Sequence, residues 1–212
     1  MLNSEPKTEG SVKLGIAGRK ARQRAEREDR IVAAARAIAE REGWSAVTVR
    51  RLADEIEYSQ PVLYSHFQSR DEIVGAVAVE GFRELTTALR TAPLGSTGRN
   101  ALEKVAMAYL AFAFRHPALY NAMFVLPTGL RFARADTRPE LREAFASLVA
   151  VVAPFCTSAD VEDTTETFWA ALHGLVELER SGRVRPAAHA RRIKLVVQAF
   201  VGLGKTATDH DS

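Results

Sequence analysis

The residues between Thr48 and Phe67 are the ones whose types and spacing suit a defined chemistry, the reading of a polar surface by a protruding helix end. The stretch is T-V-R-R-L-A-D-E-I-E-Y-S-Q-P-V-L-Y-S-H-F. Thr48 can accept a backbone N–H as an N-cap, with Val47 and Leu52 at the two staple positions, which predicts a helix from Thr48 to about Glu55. Ser59, between the staple pair Tyr58 and Leu63, opens a second short helix that ends near Ser65. Pro61 falls in its first turn, where a missing N–H is tolerable. A tight turn around Ile56–Tyr58 joins the two. Ala53 is small where they would cross, and Leu52, Ile56, Val62 and Leu63 can fill the space between them. A helix-turn-helix is built this way, with one helix across the DNA backbone and the second in the major groove. A groove about 12 Å wide admits one helix, so its leading end must carry short polar side chains. Ser59, Gln60 and Pro61 fit there, and Gln60 can both donate to and accept from a base edge. Thr48 and the N–H groups at its helix start can hold a phosphate. Tyr64, His66 and Arg70 follow the second helix, well placed for backbone phosphates. The same pattern also suits a three-helix packing unit, or a protein-interaction adaptor, that never meets DNA.

Other chemistries find no such grouping. His66, His116, His173, His189 and His210 show no metal-ligand spacing with Cys156. His173 and Glu177 sit one turn apart, but two ligands do not make a site. There is no phosphate-cradling glycine loop, nucleophile elbow or paired carboxylate at a plausible spacing. Catalytic residues, a metal and a cofactor are therefore not expected. The lone cysteine has no internal disulfide partner, which fits a reducing cytoplasm. The first 25 residues lack the apolar stretch of a signal peptide. No apolar run approaches the roughly 18–20 residues of a membrane span. A cytoplasmic protein with no membrane partner is the expectation.

The elements that position Thr48–Phe67 are helices. With 47% hydrophobic and 26% charged residues the chain can bury a sizeable core. From Asp29 onward nearly every segment has helical spacing, and none alternates as strands do. The first helix is expected over about Asp29–Glu42, with Ile31, Ala34, Ala35 and Ile38 as its apolar stripe and Gly43 as its stop. After the two short helices, Ser69-Arg70-Asp71-Glu72 forms a capping box opening a fourth helix to about Arg90. Further helices are expected over Arg99–Arg115 and Pro117–Phe124. A second capping box, Thr137-Arg138-Pro139-Glu140, opens one that ends near Pro154. The last two run over Ala159–Arg180, with acids in the first turn, and Ala187–Val201. About nine helices with short loops make an all-α protein. The first four form one unit and the rest another, bridged by the long fourth. The net charge of +3 lies wholly in residues 1–70, which hold 13 Lys and Arg against 10 Asp and Glu. Residues 1–27 read as a disordered basic arm, which is either a solvated tail or a nucleic-acid contact. Residues 205–212 read as a disordered tail.

The segment R-I-V-A-A-A-R-A-I-A-E-R-E-G-W-S-A-V-T-V-R-R-L-A-D-E-I-E-Y-S-Q-P-V-L-Y-S-H-F-Q-S-R-D-E-I resembles the N-terminal domain of the TetR family of transcriptional regulators. The likeness is almost continuous over about Arg30–Val77. Its most specific parts are Ala34/Ala35, Gly43, Thr48-Val49, Leu52-Ala53, Leu63-Tyr64-Ser65-His66-Phe67 and Ser69-Arg70-Asp71-Glu72. The resemblance implies a homodimeric repressor of palindromic double-stranded DNA operators. A helix-turn-helix head would occupy 28–75 and a ligand-binding and dimerisation domain 76–204. Thr48, Ser59, Gln60, Pro61, Tyr64, His66 and Arg70 then fall at DNA-contacting positions, with Arg50 and Val62 beside them. Two departures stand out. The family usually has Gly where this chain has Glu57; if the turn needs positive φ there, Glu costs about 1 kcal/mol. It also often has Lys at Arg70, whose planar fork could grip a phosphate in two places. In this light the basic arm is expected to reach a minor groove.

In the C-terminal half, Val105, Met107, Ala108, Tyr109, Leu110, Phe112, Ala113 and Phe114 nearly encircle the fifth helix, which predicts that it is buried all round. Cavities lined by aromatics with a few polar groups are the usual small-molecule sites. The resemblance implies such a cavity for an apolar effector, with Met107, Phe112, Tyr120, Met123, Phe124, Phe168, Trp169 and His173 as candidate contacts. Plain core is the other reading of each, and His173 is open between packing and ligand contact. Trp169…His173-Gly174 and His116-Pro117-Ala118-Leu119-Tyr120 resemble one subgroup of the family. Gly174 inside a helix costs about 1 kcal/mol, so a close helix approach is expected there. Leu172, Leu175, Val176, Ile193, Val196, Val197 and Phe200 form apolar stripes on the last two helices. These either finish the core or, as the resemblance implies, form a four-helix interface with a second copy.

Overall fold

The computed structural model describes residues 9–208, with side chains described over 18–202. Among the described residues there are nine α-helices and no strand. They are α1 (Glu9–Glu42), α2 (Val49–Ile56), α3 (Gln60–His66), α4 (Arg70–Thr91) and α5 (Gly98–Arg115). Then come α6 (Pro117–Phe124), α7 (Pro139–Val152), α8 (Val161–Arg180) and α9 (His189–Thr208). The chain divides into two compact units at Val74–Gly75, and α4 starts in the first and continues in the second.

In the first unit α1 packs against α2 and α3, which pack against each other. Ile31, Val32, Ala35, Ile38 and Ala39 of α1 are buried with Leu52, Ala53, Ile56 and Leu63. Thr48 caps α2 as expected, its Oγ1 accepting from Arg51 N at 3.1 Å. At α4, Ser69 Oγ accepts from Glu72 N at 3.2 Å, and the Glu72 carboxylate reaches back to Gln68 N at 2.7 Å. That is a capping box whose return bond lands one residue early.

Three expectations are corrected. Residues 9–27 are not a disordered arm but the first turns of α1. Ala, Arg, Lys, Gln and Glu dominate from Arg19 to Arg27 and are strong helix formers even without an apolar stripe. Arg24 also pairs with Glu28 one turn on, at 2.8 Å. Residues 205–208 belong to α9; 1–8 and 209–212 lie outside the described residues. The second capping box does not form. Arg138, not Thr137, is the N-cap of α7, and buried Thr137 instead accepts from Arg134 N at 2.9 Å.

In the second unit α5 packs against α6, α7, α8 and α9. Its inward side, Leu102, Val105, Ala106, Tyr109 and Leu110, is buried with Leu148, Val152, Phe168, Leu172 and Val197. Burying each large apolar side chain is worth about 1.5–3 kcal/mol. The helix is not buried all round, however: Met107 is 53% and Phe114 43% exposed. Gly81 on α4 lets α6 come close, since a Cβ there would lie 2.5 Å from Met123 Sδ. Gly75 does the same for the backbone at Thr128, 3.0 Å away. These close approaches position the segment after α6, where cavities open.

Candidate DNA-reading surface and C-terminal cavity

The turn between α2 and α3 hinges on Glu57, which adopts φ 57 and ψ 38, the left-handed conformation. Glu57 N and Tyr58 N both donate to Ala53 O, which ends α2 and aims the chain into α3. The strain anticipated at this position is therefore present. Arg30 holds the turn from α1: its guanidinium donates to Tyr58 Oη at 2.9 Å and stacks 4.9 Å from that ring's centre.

The leading end of α3 is open to solvent. Ser59, Gln60 and Pro61 are exposed, and Val62 is half-buried beside them. Tyr64, 52% exposed, and Ser65 continue the same surface. Thr48 and Arg50 are exposed at the start of α2. This arrangement offers amide, hydroxyl and phenol groups from α3 and a hydroxyl and a cation from α2.

Two of the candidate contacts bond within the head. Arg70 turns inward, donating from Nε to Val47 O at 2.9 Å and from Nη2 to Trp44 O at 2.6 Å. It gives Val47 O a partner and adds a second donor to Trp44 O, which already accepts from Val47 N. The His66 side chain is only 5% exposed, and its Nδ1 faces Glu28 at 3.2 Å. Both act as struts of the head. Arg24 is a third, donating to Ser65 O at 3.3 Å. Arg24, Arg30 and Glu28 count in the sequence only as charges of the basic arm, because their partners Ser65, Tyr58 and His66 lie far along the chain.

The second unit holds two adjoining cavities. The larger, about 680 Å³, is lined by Phe82, Leu89, Phe124, Phe132, Phe145 and Trp169, with exposed Arg134, Arg142, Glu162 and Glu166 at its edge. The smaller, about 470 Å³, shares Phe124, Phe132 and Trp169 and adds Met123, Leu126, Leu130 and His173. Both volumes suit a small molecule. Phe124 lies at the centre of the aromatic cluster, 4.8 Å from the ring of Tyr120, 5.4 Å from Phe82, 5.6 Å from His173 and 5.7 Å from Trp169.

A chain of polar contacts runs behind these walls. Trp169 Nε1 donates to Tyr109 Oη at 2.9 Å. Tyr109 Oη meets Tyr120 Oη at 3.0 Å, and Tyr120 Oη meets His173 Nδ1 at 2.5 Å. Burial pushes both phenols well above the usual tyrosine range. Burial also pulls His173 below its ordinary 6.5, against the opposing pull of Glu177. The imidazole is thus neutral at neutral pH.

Of the candidate ligand contacts, Met123, Phe124, Trp169 and His173 line a cavity. Tyr120 is fully buried and acts from behind, through His173. Met107 faces solvent, Phe112 packs against the His116 ring and Phe168 packs against Phe200, so these three do not line either cavity. Tyr109 was missing from the candidates; a phenol within an apolar helix needs a polar partner, and that was the available signal.

The apolar stripes of α8 and α9 also divide. Leu172, Val176, Ile193, Val197 and Phe200 are buried within the subunit's own core, while Leu175 and Val196 are half-buried. Leu178 and Leu195 are exposed at 42% and 55%. A Cβ at Gly174 would meet nothing within 4 Å, so no close approach inside this chain explains that glycine.

No helix among the described residues is long and apolar enough to cross a membrane. None of their His, Cys, Asp and Glu side chains group as a metal site.

Known proteins share this organisation. Residues 31–77 match the bacterial regulatory proteins of the tetR family, and residues 102–200 match the tetracyclin repressor-like C-terminal domain. Over 157 residues the chain is 31% identical to the HTH-type transcriptional regulator Rv0681 of Mycobacterium tuberculosis (strain ATCC 25618 / H37Rv). That alignment covers 72% of this chain and 69% of the relative. BioQ of Mycobacterium smegmatis superposes with a TM-score of 0.61 at 26% identity, over 82% of this chain and 96% of that one. BioQ with its double-stranded DNA operator gives 0.61 at 23% identity, over 82% and 97%. The regulatory protein SCO4313 gives 0.66 at 23% identity, over 86% and 98%, a likeness of fold. The chain belongs to the TetR family of DNA-binding transcriptional regulators.

Proposed function

We propose that the protein is a repressor that binds a palindromic operator as a homodimer and is released by a small, largely apolar molecule held in its C-terminal unit. One observation carries the effector reading: a DNA-binding regulator has no need of an aromatic-walled space of about 680 Å³ unless something fills it. The solved complex of BioQ with its double-stranded DNA operator, a structure of the same fold, supports operator binding. Gln60 and Ser59 read base edges, while Thr48, Arg50 and Tyr64 hold phosphates. A regulator of chromosomal DNA of this kind works in the cytoplasm.

Coupling runs through α4, one uninterrupted helix whose first turn belongs to the head and whose remainder belongs to the ligand unit. A molecule that binds better to a spacing of the two heads unsuited to DNA shifts the population away from the bound state. A coupling of about 1–3 kcal/mol would be ordinary. The test selects a palindromic duplex from random DNA, then titrates the complex with small-molecule hits from a thermal-shift screen. The expected result is salt-sensitive binding and weakening by about 5–150-fold with saturating hit. Hits that bind tightly and leave DNA affinity unchanged would remove the effector reading and leave a constitutive DNA-binding regulator.

A further inference from the structure

The polar chain behind the cavities has a direction, set by its first member. An indole N–H donates and accepts nothing. Tyr109 therefore accepts from Trp169, and the only acceptor for its own hydrogen within this group is Tyr120. Tyr120 in turn gives its hydrogen to His173 Nδ1. The imidazole is then an acceptor at Nδ1 and carries its proton at Nε2. With the proton on Nδ1, Tyr120 would have to accept it, and one of the two phenol hydrogens would then find no acceptor within this group, which is costly in the interior. Trp169, Tyr109 and Tyr120 are thus positioning residues for a single N–H group.

His173 lines the smaller cavity together with Phe124 and Trp169. The wall of about 470 Å³ contains no Lys, Arg, Asp or Glu, and Thr128 is its other polar side chain. An ionised ligand group would find no opposite charge in that wall. We propose that this cavity takes an uncharged molecule with an aromatic or alicyclic body and one carbonyl-type oxygen, the oxygen accepting from His173 Nε2–H and the body lying against Phe124 and Trp169. The proposal rests on the reading of the C-terminal unit as ligand-binding.

Three probes of matched shape test it on the full-length protein: ethylnaphthalene, acetylnaphthalene and naphthoate, all substituted at the same ring position. Affinities are read by calorimetry and by quenching of tryptophan emission. The ketone is expected to bind about tenfold tighter than the hydrocarbon, the worth of one neutral hydrogen bond, and the anion weakest. The ketone's advantage should fall to under about threefold in His173→Phe. It should return in His173→Gln, whose amide can accept from Tyr120 and donate to the ligand. Nitrogen NMR should place the His173 proton on Nε2, a readout that holds even if His173→Phe fails to fold. Equal binding of ketone and hydrocarbon, tightest binding of the anion, or a proton on Nδ1 would overturn the proposal while leaving a ligand-binding unit. Failure of all three probes to bind at millimolar concentration would overturn that underlying reading, and the proposal with it.

Discussion

Glu57 carries the turn on which the reading helix depends, in a conformation suited to glycine. Its φ of 57 puts Cβ close to the following carbonyl, at a cost of about 1–2 kcal/mol for an L residue. Its side chain is exposed, so little packing is lost by removing it. Glu57→Gly is therefore expected to stabilise the head by about 1 kcal/mol, less the small entropy that glycine returns to the unfolded chain. Thermal or urea unfolding measures it; an unchanged or lowered midpoint would mean that the Glu57 side chain makes a compensating contact. This residue was legible in the sequence because turn chemistry is local. Arg70 and His66 were not. Each has the type and chain position of a phosphate contact, but the direction of a long or planar side chain is decided by groups 23 to 38 residues away, at Val47, Trp44 and Glu28.

At the scale of elements, helix existence followed from periodicity and caps, and the errors fell where those signals thin out. Residues 18–27 of α1 are exposed to solvent, so the charge there read as disorder. Thr137 and Glu140 have capping-box spacing, yet Thr137 turns back to Arg134 and Glu140 is taken by Arg83 at 2.7 Å. Composition made α5 look buried all round, while the fold leaves one strip of it in solvent. The short α3 came through well because a proline, two staple residues and a crossing alanine constrain it at once. Its function divides along its length. Gln60 at the leading end reaches base edges, so Gln60→Ala should relax discrimination between operator variants, by about 1–3 kcal/mol at one base pair. Tyr64, one turn further on and exposed, should act on phosphates; Tyr64→Ala should weaken binding similarly across sequences. Anisotropy titrations against a panel of single-base operator variants distinguish these. Uniform loss in both variants would mean that the division between base and phosphate contacts is wrong.

For the whole molecule, the apolar stripes of α8 and α9 were visible in the sequence, but not which side of each faces its own core. That split is an energetic one and makes the proposed dimer testable. Val197 is fully buried, so a carboxylate there must be desolvated with no partner, and Val197→Asp should unfold the subunit. Leu195, two residues earlier on α9, lies 55% exposed, and Leu178 on α8 is exposed too. Gly174, Leu175 and Leu178 recur at helical spacing, and the bare Gly174 leaves room for another chain to come close where this one does not. Two such faces joined by a two-fold axis would give the molecule two reading helices, as a palindrome with half-sites about 34–36 Å apart, one turn of DNA, requires. Leu195→Glu puts like charges against each other across that axis while leaving the subunit's own core intact. Sedimentation should show it as a folded monomer with an unchanged helical spectrum, and its affinity for the full palindrome should fall towards that for a half-site. A Leu195→Glu protein that still sediments as a dimer would move the interface off this face of α9, and one that unfolds would show Leu195 to be part of the core.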